Sequence, residues 1–488
     1  MSDAASFGWS PVVQKRCVLA ALVLYAALFC ARWPNAVLVS DEASYLNQAT
    51  LFSKGRATEE RLDVAHGTQL GGPASRYPIG TSLLQAPFIW FGGWRCAFLV
   101  SLGSLIGMVV ILLSWLGELG RPPIFALVPL LFVGTSVQGR LAMSDEPTAF
   151  VASLAFWLFS RGERGQRLAW LGSGLFAGLS AAFRDATPLL FAPLYAQALL
   201  RREHRSWQLA AGAAIGGIVR LFSARVFFGS ALFLRMGGAL KFSAVAQNLP
   251  LYALLACIAL PLGLPSLLAY RGERKLPLCV GVLAFLAVYL SFPLPHEANG
   301  WVRDIVLHSR YCTALVPIAV LTLSEWVPRL LLGRPRLRKL LVVVSVAGSV
   351  AMSAIVHLYL YSWGTTLSHI ASTIYDDTEE GSVLLYNPDG AAKFVLEFLG
   401  KRDYIARTHT TPQEVAKLVR RGRRVYAVFV DRTDTEFRRE DARQNAAFLT
   451  GLQERCRVAV VHEAQASAIE HVVIARLLEC ASAAADDK

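Results

Sequence analysis

Two short acidic turns hold the residue types best suited to chemistry. Val39-Ser40-Asp41-Glu42-Ala43-Ser44-Tyr45 follows the first long apolar run, and Met143-Ser144-Asp145-Glu146-Pro147 repeats its core farther along. A carboxylate among apolar groups binds a proton more tightly than one in water and can take it from a hydroxyl nucleophile. Paired carboxylates can also orient a sugar or hold a hard divalent cation. Each turn has a plainer reading. Ser40 is suited to cap a helix with Asp41 and Glu42 in the first turn, where negative charge favours the dipole. Pro147 suits a first helical turn, with Ser144 or Glu146 as its cap. The plain reading does not explain why the first pair sits at a membrane boundary, with Tyr45 and Gln48 on the helical face of Asp41.

The candidate cations are fewer. Arg184-Asp185 interrupts an apolar stretch, where charge is costly and by default marks a site; the alternative is a local ion pair at a helix end. Guanidinium matches phosphate in shape and charge. Arg310-Tyr311, beside His308, opens another apolar segment and can act in the same way. Arg76-Tyr77-Pro78 reads as an interface anchor whose ring can flank a sugar. Arg225 is near enough to a span end to snorkel, whereas Arg220 lies deeper and calls for a partner. His296-Glu297 reads as a solvated loop pair, too small a set for a metal.

The elements that must position these groups are membrane helices. The 488 residues are 54% hydrophobic and 17% charged, with a mean hydropathy of +0.44, and the apolar residues come in runs. Alternating strands of a barrel are absent from the pattern, so the chain reads as a polytopic α-helical membrane protein. Spans are expected at 17–33, 96–119, 123–139, 147–160, 167–183, 186–200, 207–228, 249–270, 276–292, 311–331 and 340–361, about eleven helices in all. The segment Ile79–Trp94 is apolar but short, suited to the interface or to a dip into the membrane. The net charge of +13 collects in short basic connections. Lys15-Arg16, Arg161–Arg167, Arg201–Arg205, Arg271–Lys275 and Arg334–Lys339 all fall on one side, which the positive-inside rule makes cytoplasmic. The loop 34–95, both acidic turns and the tail then share the opposite side. No basic soluble module suggests a nucleic-acid partner. The first helix carries no small-residue cleavage site and reads as retained.

Composition shifts after Trp363, giving a membrane domain over 1–363 and a second domain over 364–488. Strands are expected at Ser382–Tyr386, Arg424–Val430 and Val458–His462, and helices at Ala391–Leu399 and Pro412–Arg421, the latter capped by Thr411. This is a small α/β domain without a glycine-rich phosphate loop, suited to covering the membrane site or meeting an acceptor. Of the eight cysteines, Cys456 and Cys480 lie in this tail and can pair if it is extracytoplasmic; spacing alone does not decide it.

Five features together resemble a known family: Ser40-Asp41-Glu42-x-x-Tyr45 after the first span, Arg76-Tyr77-Pro78-x-Gly80, Met143-Ser144-Asp145-Glu146-Pro147, a basic residue at Arg184, and Ser309-Arg310-Tyr311 with Pro317 following. The sequence resembles the GT-C glycosyltransferases, within them the protein mannosyltransferases and lipid A aminoarabinose transferases. The resemblance implies a GT-C-like fold and transfer of a sugar from a polyprenyl-phosphate donor to an envelope lipid or polysaccharide acceptor. It also implies inversion at the anomeric carbon, on the periplasmic face of a bacterial inner membrane. Carried onto this chain, it makes Asp41 the base, with Glu42 orienting donor or acceptor. Arg184 and Arg310 would bind the donor phosphate. Tyr45, Tyr77, Asp145, Glu146 and His308 would line the acceptor or donor, and Asp41, Asp145 and Glu146 would be the ligands of any divalent cation. The rival class is a secondary transporter or lipid flippase, which should show internal repeats around a midplane site; none is evident in the sequence.

Overall fold

The structure is a computed structural model and describes residues 7–58, 75, 77–229, 240–292, 305–306, 308–387, 390–394, 402–432, 436–466 and 470–481. The principal elements, in chain order, are α1 (Pro11–Ala31), α2 (Ser40–Ser53), α3 (Gly80–Gly92), α4 (Leu99–Glu118), α5 (Asp145–Glu163), α6 (Ala169–Ser180), α7 (Ala192–Leu200) and α8 (Trp207–Phe228). Then come α9 (Ala244–Leu254), α10 (Gly263–Ala269), α11 (Lys275–Leu290), α12 (Val316–Leu330), α13 (Pro335–Asp376), β1 (Val383–Tyr386), β2 (Asp403–Ala406), α14 (Pro412–Arg420), β3 (Val425–Arg432), α15 (Glu436–Gln453), β4 (Cys456–Gln465) and β5 (Glu470–Cys480).

Each expected span is helical over at least part of its length. Among the described residues, five helices are long and apolar enough to cross a membrane: Pro11–Ala31, Trp94–Glu118, Trp207–Phe227, Arg310–Leu330 and Pro335–Asp376. The pair Ala244–Ala259 and Gly263–Ala269, bent by 74°, brings the number to at most six. The chain is a multi-pass membrane protein, and among the described residues not every expected span is one unbroken helix. The run 123–139 shows why. It breaks into Pro123–Leu127, Val128–Leu131 and Val133–Gln138, with Phe132 extended between the last two. Thr135 Oγ1 donates to the Pro129 carbonyl and Ser136 Oγ to the Leu130 carbonyl at 2.7 Å, satisfying groups that the break releases.

The chain divides into two compact units, Met1–Trp33 with Pro78–Thr81 and Phe98–Tyr359, and Pro34–Tyr77 with Ser82–Ala97 and Leu360–Lys488. In the first, α6 and α8 pack most intimately, at glycines 174, 178, 212 and 216.

In the second unit a five-stranded sheet has the order β2-β1-β3-β5-β4, parallel across β2, β1 and β3 and antiparallel to β5 and β4. Val383, Leu385, Val415, Phe429, Leu452 and Ala475 form its core with α14 and α15. Thr411 caps α14 as expected, and Glu414 completes the box by accepting from the Thr411 N–H at 2.9 Å. The expected helix at Ala391–Leu399 is instead a 3-10 turn, Ala392–Phe394, within the described residues; positions 395–399 lie outside them. Cys456 and Cys480 are bonded as a disulfide and are register partners of β4 and β5. The composition change at Trp363 falls inside α13, which runs on to Asp376. Helix α2 packs against Ala392–Phe394, and Asn35 Nδ2 donates to Thr365 Oγ1 at 3.2 Å. Most of the first loop and the tail, which the charge pattern assigns to one side, thus fall in one unit, with Pro78–Thr81 in the other.

Candidate functional site

In the unit that contains the sheet, the site residues lie at the start of α2. Val39, extended, precedes the helix, and Ser40 is its first residue and not its cap. The capping acceptor is Glu42. It is fully buried, and its Oε2 accepts from the Leu38 N–H at 2.7 Å and the Val39 N–H at 3.1 Å. This carboxylate satisfies donors at the helix N-terminus that would otherwise be orphaned. Asp41 is partly exposed, and the Tyr77 hydroxyl donates to its Oδ1 at 2.5 Å. The Tyr77 ring stacks on Tyr45, one helical turn after Asp41, with centroids 4.7 Å apart and planes at 28°. Ser82 Oγ donates to the Tyr45 carbonyl at 3.0 Å, and the Tyr77 N–H to Ser75 Oγ at 3.1 Å. Tyr77 is therefore held at ring and backbone, and a carboxylate that accepts its proton is fixed in direction. Such a group can receive a proton from a hydroxyl without searching for its orientation. Arg76 lies outside the described residues, as do His296 and Glu297.

In the other unit, Asp145 opens α5 and Pro147 stands in its first turn, as expected. Asp145 is fully buried, and Arg184 Nη2 donates to its Oδ1 at 2.6 Å. Thr313 Oγ1 approaches the Asp145 carbonyl at 3.4 Å. The Arg184 guanidinium carbon lies 5.2 Å from the centre of the Tyr311 ring, and that of Arg310 lies 4.8 Å from the same ring. Arg310 Nη2 also donates to the Tyr311 hydroxyl at 2.8 Å. Tyr289 stacks on Tyr311 at 4.9 Å, and His308 stands edge-on to Tyr311 and Tyr252 at 6.1 and 6.4 Å. Arg184, His308 and Arg310 therefore converge on one aromatic ring, and Asp145 joins them through Arg184. Two guanidinium groups on a single ring are suited in shape and charge to an anion such as phosphate. The fully buried Glu146 follows Asp145; neither of its oxygens, nor Asp145 Oδ2, accepts a hydrogen bond from the described residues. Arg220 has the partner it called for, Asp185, at 2.7 Å.

Asp41, Glu42, Tyr45 and Tyr77 thus belong to one unit, and Asp145, Glu146, Arg184, His308 and Arg310 to the other. Sequence reasoning missed Tyr252 and Tyr289. Hydroxyls within apolar segments were the available signal, because buried phenols seek polar company. Among the described residues no three His, Cys, Asp or Glu side chains are grouped to hold a metal ion.

The crystal structure of ArnT from Cupriavidus metallidurans bound to undecaprenyl phosphate superposes with a TM-score of 0.56, covering 94% of this chain and 97% of that one at 14% identity. This chain has the ArnT fold. The apo form of ArnT gives the same TM-score and coverage at 16% identity. The GT-C-like fold expected from the five sequence features is therefore the fold observed, a helical membrane protein with a small C-terminal sheet domain. The match to ArnT extends over nearly the whole of both chains. No family model and no curated protein sequence matches the chain.

Proposed function

We propose that this protein is a membrane glycosyltransferase. It moves a sugar from a polyprenyl-phosphate-linked donor to an envelope lipid or glycan acceptor on the periplasmic face, with inversion at the anomeric carbon. Asp41 takes the proton of the acceptor hydroxyl as that oxygen attacks the anomeric carbon, and the bond to the lipid phosphate breaks. Arg184 and Arg310 bind the phosphate and stabilise the charge it gains as it leaves. Asp145 orients Arg184; Tyr45, Tyr77, Glu146 and His308 shape the places of donor and acceptor, and Glu42 holds the helix start on which Asp41 sits. A fixed guanidinium facing the leaving phosphate contributes on the order of 3 kcal/mol, as single preorganised donors do elsewhere.

The observation that carries this reading is the fold shared with ArnT, a protein crystallised with undecaprenyl phosphate bound. The two guanidinium groups on Tyr311 and the anchored carboxylate of Asp41 supply the charges such a transfer needs. The test is transfer of labelled sugar from polyprenyl-phosphate donors by the purified protein in lipid nanodiscs, with envelope extracts as acceptor. Labelled product that depends on Arg184 and Arg310 supports the reading; no transfer from any donor class ends it. A chelator titration in the same assay decides whether a divalent cation takes part.

A further inference from the structure

We infer that Arg220 is a positioning residue for Arg184, acting through Asp185. This rests on the phosphate-binding role proposed above for Arg184. Helix α8 carries Gly212, Gly216 and Arg220 at four-residue intervals, so the three share one face. Helix α6 meets that face with Gly174 and Gly178. A Cβ on any of these glycines would strike the facing backbone: Gly174 at the Leu209 carbonyl, Gly178 at Ala213, Gly212 at Leu171 and Gly216 at Leu175. The pairing advances in the same direction along both helices, so they run parallel and touch backbone to backbone, as small residues at this spacing permit. So close a contact fixes the rotation and register of α8. The next residue on its glycine face is then Arg220, directed at the chain as it leaves α6.

There Arg220 Nε donates to Asp185 Oδ1 at 2.7 Å, and its side chain is only 6% exposed. A charge so enclosed is costly unless paired, so the partnership holds the turn in place. The same turn is held at a second point. The Gly80 N–H donates to the Ala182 carbonyl at 2.8 Å, and a Cβ on Gly80 would lie 2.6 Å from that oxygen. This gives a physical reason for the glycine of Arg76-Tyr77-Pro78-x-Gly80. Fixed at Ala182 and Asp185, the chain between them presents Arg184 to Asp145 and Tyr311. The bond from Arg220 to Asp185 reaches Arg184 through the backbone of residues 184–185.

The experiment is a double-mutant cycle on the full-length protein in nanodiscs, with undecaprenyl phosphate as the probe. The readouts are its dissociation constant and the kcat and KM of sugar transfer. Arg220→Met should weaken binding of the lipid phosphate about 10-fold, by analogy with the lower end of what is lost when the partner that orients a metal ligand is removed. The change should appear in both KM and kcat, because Arg184 both binds the phosphate and stabilises the charge it gains as it leaves. Arg184→Ala should weaken binding at least as much, and adding Arg220→Met to it should change nothing further. Exchanging the charges, Arg220→Asp with Asp185→Arg, should restore affinity. Additive losses in the double variant, or an unchanged affinity in Arg220→Met where Arg184→Ala binds poorly, would overturn the positioning role alone. An unchanged affinity in Arg184→Ala would instead overturn its phosphate role and this inference with it. If Arg220→Met does not fold, Asp185→Asn enters the same cycle with the same expectations.

Discussion

Replacing Tyr77 with phenylalanine removes one oxygen and leaves the ring. The lost atom donates to Asp41 Oδ1 at 2.5 Å, while the stack on Tyr45 and the backbone bond to Ser75 remain possible. A hydrogen bond to a charged group contributes about 1.5–3 kcal/mol. If the bond does no more than hold the carboxylate in line for proton transfer, its loss lowers kcat/KM by roughly 10–100-fold, since about 1.4 kcal/mol is one decade of rate. Tyr77→Ala should fall further, because it also leaves the buried Tyr45 ring without its stacking partner. The assay is transfer of labelled sugar in nanodiscs, with thermal unfolding measured alongside so that loss of fold is not mistaken for loss of rate. A Tyr77→Phe protein with wild-type stability and a kcat/KM within about twofold of wild type, a few tenths of a kcal/mol, would refute the claim that this bond prepares Asp41.

Two further outcomes follow from packing and burial. Gly216→Leu should destabilise the protein by at least 1–3 kcal/mol, the approximate cost of overpacking, because its side chain must enter space held by the Leu175 backbone. Thermal unfolding in detergent measures this, and an unchanged midpoint would contradict the close approach of α6 and α8. The Lys393 ammonium, buried beside Glu470 and Arg432, has its pKa lowered from 10.5 to about 8, chiefly by desolvation, which Glu470 opposes. The unfolded chain therefore holds this proton between those two pH values when the folded chain has released it, and stability rises with pH through that window by about 3 kcal/mol. Scanning fluorimetry at pH 8 and pH 10 should show wild type gaining on Lys393→Met; parallel curves would contradict the burial cost.

What could be read from the sequence was what local pattern encodes. Apolar runs located helix within each expected span, and the Thr411 cap, the Pro147 turn and three of the five strands carried signatures of their own. The full crossing of each run was less legible, because a break such as that at Phe132 is repaired by Thr135 and Ser136 hydroxyls and leaves hydropathy unchanged. Strand β2 has only four residues, and α15 is so polar that its helical face hardly shows. The acidic turns and the arginines were visible because charge is rare in apolar sequence. Their partners were not: that Arg184 meets Asp145, Arg220 meets Asp185, and Tyr77 meets Asp41 depends on contacts across 39, 35 and 36 positions. Glu42 was misread in part. As the carboxylate that accepts from Leu38 and Val39 it has a structural task that spacing alone assigned to Ser40.

The most direct measurement is the transfer rate of Asp41→Asn. Asparagine keeps the size of the side chain and an oxygen that can accept from Tyr77, yet it cannot take the acceptor's proton at neutral pH. Removing a general base costs about 10²–10⁴-fold, so kcat should fall by that factor while undecaprenyl phosphate binds with unchanged affinity. A folded Asp41→Asn protein that transfers sugar at the wild-type rate would show that the proton goes elsewhere.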